Sequence, residues 1–126
     1  MKKIITTPKA PAPLGPYNQA IKSGNTLYIS GQIPLVAATM EVFNGTIQEE
    51  THLVMQHLKA ILETAGMDFN QVVKTSIFID DMNNFAQINE VYGSYFDSET
   101  APARETVAVK TLPKSVRVEI SMIAVD

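Results

Sequence analysis

The chain has 126 residues, 45% of them hydrophobic and 18% charged, which suffices for one hydrophobic core and one domain over residues 1–126. A net charge of −3 and a pI near 5.3 give no general attraction to a phosphate backbone, so nucleic acid is not an expected partner. The absence of cysteine excludes disulfides, thiolate metal sites and a cysteine nucleophile; with no apolar run of signal-peptide or membrane-spanning length, the expectation is a cytoplasmic protein without a membrane partner.

In chain order, the Pro-rich stretch PKAPAPLGP (8–16) breaks regular structure. Two short strand-like runs follow, about Gln19 to Lys22 and Thr26 to Ser30, with turn chemistry from Ser23, Gly24 and Asn25 between them. At Thr46 the pattern becomes helical: TIQE matches a capping box, Val54, Leu58, Ile61 and Ala65 recur at spacings of four and three, and Gly66 stands where a C-terminal cap belongs. This predicts a helix from about Ile47 to Thr64. VVKTSIFID (72–80) has the β-branched and aromatic content of a strand. Phe85, Ile88, Tyr92 and Tyr95 then restore helical spacing, with Asp81 or Asn83 as the cap. Strands joined through helices require right-handed crossovers, so the expected fold class is α+β, a single mixed sheet with both helices on one face. The other face must meet solvent or another subunit.

The final stretch, PARETVAVKTLPKSVRVEISMIAV (102–125), predicts a second hairpin. Burying Val107 and Val109 together with Val116, Val118 and Ile120 requires an even loop, most simply Thr111 to Lys114. In that register Thr106 faces Glu119, and Arg104 and Glu119 become diagonal neighbours on the face away from the helices. On pattern alone the two charges make a solvated cross-strand ion pair worth at most roughly 1 kcal/mol. Ala108, Ile123 and Val125 share that face, however, and a partly apolar bare sheet face suits self-association. A charge pair at the edge of such a contact is partly desolvated and can hold a ligand.

Other candidates are weaker. His52 and His57 are five residues apart and do not share a helix face, so they read as surface histidines rather than a zinc pair. SGQIP (30–34) holds one glycine and is no phosphate loop, and no G-x-S-x-G elbow occurs. Glu49 and Glu50 suit the helix cap and its dipole.

PAR (102–104), LPK (112–114) and VRVEISMIAV (116–125), together with GPY (15–17), SGQIP (30–34), LKAILETAG (58–66) and VVKTSIFIDDMNNFAQINEVY (72–92), resemble the signature of the RidA/YjgF family from end to end. The resemblance implies a chorismate-mutase-like fold assembled as a homotrimer, with ligand clefts between neighbouring subunits. It further implies hydrolysis of 2-enamine or 2-imine acids, such as 2-aminoacrylate released by pyridoxal-phosphate enzymes, to a 2-oxo acid and ammonia, without metal or organic cofactor. On that resemblance Arg104 clamps the substrate carboxylate, Glu119 positions the attacking water, and Thr106 stands where the main chain contacts substrate or water. Tyr17 reaches the cleft through its hydroxyl, Ser30 and Gly31 approach the ligand closely, and Asn89 is a polar cleft residue. By spacing alone Tyr17 is a packed aromatic, Ser30 and Gly31 end a strand, and Asn89 is an exposed helix residue. Two further readings remain open: a trimeric protein that binds a small 2-oxo acid or fatty acid without turnover, and an RNA-cleaving translation inhibitor, against which the acidic balance counts. Residues 35–45, LVAATMEVFNG, depart from the commoner family pattern and leave the cleft rim undetermined.

Overall fold

The computed structural model describes all 126 residues. Its first long element, α1 (Ile47–Thr64), starts on the expected capping box: the Thr46 side chain accepts from the Glu49 N–H at 3.1 Å, and the Glu49 carboxylate accepts from the Thr46 N–H at 2.8 Å. It stops at Ala65, beyond which Gly66 takes φ +74°, a conformation that costs a glycine little. One face of α1 carries Val54, Met55, Leu58, Ile61 and Leu62, all buried against the sheet. The shorter α2 (Phe85–Gly93) follows a 3₁₀ turn over Met82–Asn84, where the Asp81 carboxylate accepts the Asn83 N–H at 2.9 Å; α2 itself has no side-chain cap.

The strands are β1 (Lys2–Ile5), β2 (Ala20–Ser23), β3 (Thr26–Gln32), β4 (Val72–Ile79), β5 (Ala103–Ala108) and β6 (Val118–Val125), forming one mixed sheet in the order β1-β2-β3-β6-β4-β5. The β2–β3 hairpin turns on Gly24 at φ +60°, and both helices pack on one face of the sheet, as expected. No helix is long and apolar enough to cross a membrane. Strand β1 had no counterpart in the sequence reading. It is an edge strand with Lys2 and Lys3 exposed, a composition that discourages further pairing.

The expected final hairpin does not form. β4 lies between β5 and β6, parallel to β5 with Thr75 opposite Arg104 and Ile77 opposite Thr106, and antiparallel to β6 with Ile77 opposite Ile120 and Phe78 opposite Glu119. Arg104 and Thr106 therefore stand on the helix side with Thr75 and Ile77, whereas Glu119 stands with Phe78 on the open face. They are not diagonal neighbours, and Thr106 does not face Glu119. Alternation assigns faces only relative to a partner, and the partner of both strands is β4. Val107, counted among the core residues, is 41% exposed on the open face, and Val109 packs into a second small cluster with Ile33, Leu35, Leu112 and Val116. The chain passes from β5 to β6 across the end of β4, where Val109 N–H donates to the Ile79 carbonyl at 2.8 Å and Asp80 N–H to that of Arg117 at 3.3 Å.

Candidate active site

The first set of candidate residues is organised by a bulge in β3. Ile29 pairs with Met122 and Gln32 with Ile120, so Ser30 and Gly31 together oppose Ser121. The extra residue lays bare backbone beside β6, and the Glu119 carboxylate rests on it: a Cβ at position 31 would overlap that carboxylate and lie 2.7 Å from its carbon. Glu119 is half-buried and forms no ion pair, and burial pushes its carboxyl pKa above the usual glutamate value. Ser30 is fixed at both ends, its N–H donating to the Gln19 carbonyl at 2.9 Å and its hydroxyl to the Asn18 carbonyl at 2.6 Å. The Tyr17 hydroxyl accepts from the Leu14 N–H at 3.0 Å. Tyr17, Ser30, Gly31 and Glu119 border one cavity of about 370 Å³, with apolar walls that include Leu14 and Leu35.

The second set lies across the sheet. Arg104 Nη1 donates to Asn89 Oδ1 at 2.6 Å, and its guanidinium carbon stands 5.1 Å from the Tyr92 ring centre and 5.7 Å from that of Phe85. No carboxylate pairs with it. Two residues along the same strand, Thr106 Oγ1 is buried without a hydrogen-bond partner. Within one chain the cavity of Glu119 and the guanidinium of Arg104 thus open on opposite faces.

The fold is shared with proteins already known. Residues 7–126 match the family model described as Endoribonuclease L-PSP. The chain belongs to the RidA/YjgF family. It is 51% identical over 124 residues to a RutC family protein of Pyrococcus horikoshii, covering 98% of each chain. It is 45% identical over 126 residues to the mouse protein named 2-iminobutanoate/2-iminopropanoate deaminase, covering 100% of this chain and 93% of that one. Among solved structures, RidA from the Antarctic bacterium Psychrobacter sp. superposes with a TM-score of 0.93 at 43% identity, covering 98% and 99% of the two chains. E. coli TdcF with bound serine does so with a TM-score of 0.91 at 42% identity, covering 98% of each.

In this RidA-family chain several residues stand elsewhere than the sequence suggested. His57 is no surface histidine: it is 3% exposed, its Nε2 lies 2.7 Å from the Leu35 carbonyl, and burial depresses its pKa. A position on the buried face of α1 was legible from its spacing to Val54 and Ile61, but the polar ring masked it. His52 is exposed, with Nδ1 3.0 Å from the Tyr95 hydroxyl. Glu49 serves the cap, but Glu50 is buried under Arg117, which donates from Nε at 3.1 Å and from Nη2 at 2.7 Å to its two oxygens and also reaches the Gly45 carbonyl at 3.0 Å. Phe85 and Tyr92 read only as apolar helix positions, and nothing in the pattern marked them as the platform under Arg104. Within residues 35–45, Leu35 pairs with Val42, and Met40 takes φ 64°. No group of three or more His, Cys, Asp or Glu side chains converges to hold a metal ion.

Proposed function

We propose that the protein hydrolyses small 2-imino and 2-enamino acids to 2-oxo acids and ammonia, in clefts formed between copies of the chain in a homotrimer. The observation that carries this reading is the pair of unsatisfied charges. Arg104 is held on an aromatic platform without an anion, and Glu119 is desolvated in a cavity without a cation. Because they face opposite sides of one sheet, a site using both takes Arg104, Asn89 and Thr106 from one copy and Tyr17, Ser30, Gly31 and Glu119 from another. The name of the mouse relative as a 2-iminobutanoate/2-iminopropanoate deaminase supports the chemistry.

In this mechanism the guanidinium of Arg104, with Nη1 steadied by Asn89, presents its remaining N–H groups to the substrate carboxylate, a task its planar fork performs better than a lysine. Glu119 accepts a proton from a water whose oxygen attacks C2 of the protonated imine, giving a carbinolamine. The neutral Glu119 carboxyl then returns that proton to the amine, the C–N bond breaks, ammonia leaves, and the hydroxyl proton is lost as the 2-oxo group forms. A carboxyl pKa raised by burial suits both halves of this cycle near neutral pH. The residues named need no metal or organic cofactor for these steps. The substrates are reactive products of pyridoxal-phosphate enzymes, which makes those enzymes the functional partners.

A second reading, binding without turnover, draws support from serine held by E. coli TdcF. The two separate in a coupled assay in which a pyridoxal-phosphate serine dehydratase or lyase generates 2-aminoacrylate and pyruvate release is followed. Acceleration by the protein that is absent in Arg104→Ala and Glu119→Gln supports the deaminase. Mixing those two inactive variants and reassembling them should restore about a quarter of the clefts, because each shared cleft then draws its two halves independently. No acceleration with several precursors supports binding alone.

A further inference from the structure

The cavity beside Glu119 is walled by two irregular segments, residues 7–17 and 33–35, several of whose carbonyls are bonded by side chains from elsewhere in the fold. Pro8, Pro11, Pro13 and Pro16 supply no N–H, so the first segment offers more carbonyls than it can pair internally. Those carbonyls converge on one side chain. Gln19, 3% exposed just before the β2–β3 hairpin, accepts the Thr7 N–H on Oε1 at 2.7 Å, and the two N–H groups of its Nε2 are shared among the carbonyls of Thr7, Pro11 and Ala10 at 3.0, 2.9 and 3.2 Å. Its own carbonyl receives the Ser30 N–H. The second segment is tied from the other direction: His57 on α1, equally buried, bonds the Leu35 carbonyl at 2.7 Å, and the Lys9 carbonyl lies against the same ring.

From this geometry we infer that Gln19 and His57 are positioning residues that fix the two walls of the cavity relative to Glu119. Gln19 sets the backbone from Thr7 to Pro11 and, with it, where Leu14 and Tyr17 stand; His57 sets Leu35 and braces Lys9. Gln19 borders the cavity, but its amide is taken up by the backbone of Thr7, Ala10 and Pro11; His57 does not border it. The inference rests on the deaminase reading of the same site and concerns what holds the substrate rather than what breaks its bond. Loosening a wall weakens binding of ground state and transition state alike, so it raises KM and leaves kcat in place. A residue that mattered only for stability would do the reverse, lowering the active fraction and hence apparent kcat at unchanged KM.

The test is steady-state kinetics on the assembled protein with enzymatically generated 2-aminoacrylate, alongside thermal melting. Gln19→Leu keeps approximate volume and removes the amide; it is expected to raise KM about tenfold or more with kcat within about twofold. His57→Leu is expected to act the same way from the helix side, and His57→Gln, which retains a donor for the Leu35 carbonyl, to recover most of the loss. Unchanged KM in His57→Leu, or in Gln19→Leu where it folds, overturns the assignment; so does His57→Gln behaving like His57→Leu. If the unaltered protein shows no turnover, the deaminase reading fails separately. The same variants are then compared by calorimetric titration with pyruvate, and the inference stands only if they rank in the same order of affinity.

Discussion

Gly31 illustrates how a single missing side chain shapes the site. The Glu119 carboxylate lies where a methyl group at position 31 would sit, so the glycine is required by this close approach rather than by an unusual φ. The atom in the way is the far end of a flexible side chain, and the backbone on either side is paired. Gly31→Ala should therefore fold and assemble while pushing the carboxylate off its position. Turnover is expected to fall about 100-fold, in line with a displacement of roughly an ångström at a reacting group. The coupled pyruvate assay and a thermal melt on the same sample check both halves of this expectation. A melting temperature that collapses together with activity would show that position 31 supports the sheet instead.

At the level of elements, α1 and the β2–β3 hairpin were legible because their signals are local. Thr46 and Glu49 cap each other, Gly66 ends the helix, and Gly24 supplies the turn, so each boundary is written within a few residues of where it acts. Thr46→Ala removes the hydroxyl that accepts the Glu49 N–H and should cost about 1 kcal/mol, read as a shift of the urea midpoint at unchanged slope. The register of β5 and β6 was not legible, because it depends on a strand more than twenty residues earlier in the chain inserting between them. The same error misplaced part of the site: Arg104, Thr106 and Glu119 could be picked out as residues, but the face each occupies could not. The buried roles of Gln19 and His57 were not legible for a related reason, since such a side chain is recognised by the carbonyls it meets, and those lie on distant segments.

For the molecule as a whole, the open sheet face is the surface left to explain. It carries Tyr28 and Val107, 51% and 41% exposed, beside the half-buried Phe78, Ile123 and Val125. Its polar groups are largely tied up, Lys74 with Glu105 at 3.0 Å and Ser76 with the same carboxylate. A face this apolar, whose charges are paired apart from Glu119 in its cavity, suits contact with further copies of the chain. Ile123→Lys should leave far-UV circular dichroism unchanged, convert the assembly to monomer in sedimentation, and abolish turnover, because the two halves of the cleft would no longer meet. A variant that sediments like the parent would remove this face from the assembly.

The position of β6 has a consequence for how the chain reaches this state at all. Residues 118–125 form the strand that joins β3 to β4, and both of those partners precede it in the chain, with residues 33–117 intervening between β3 and β6. Until β6 exists, β1–β3 and β4–β5 are two separate pieces of sheet whose inner edges are exposed and whose core residues on α1 have only half a surface to cover. Synthesis from the N-terminus must therefore carry both pieces, unjoined, until the strand between them emerges. Closing a loop of that length before any reward makes for slow folding with a window of aggregation risk. Shortening this chain by the few residues of β6 would remove the middle of the sheet rather than trim an edge.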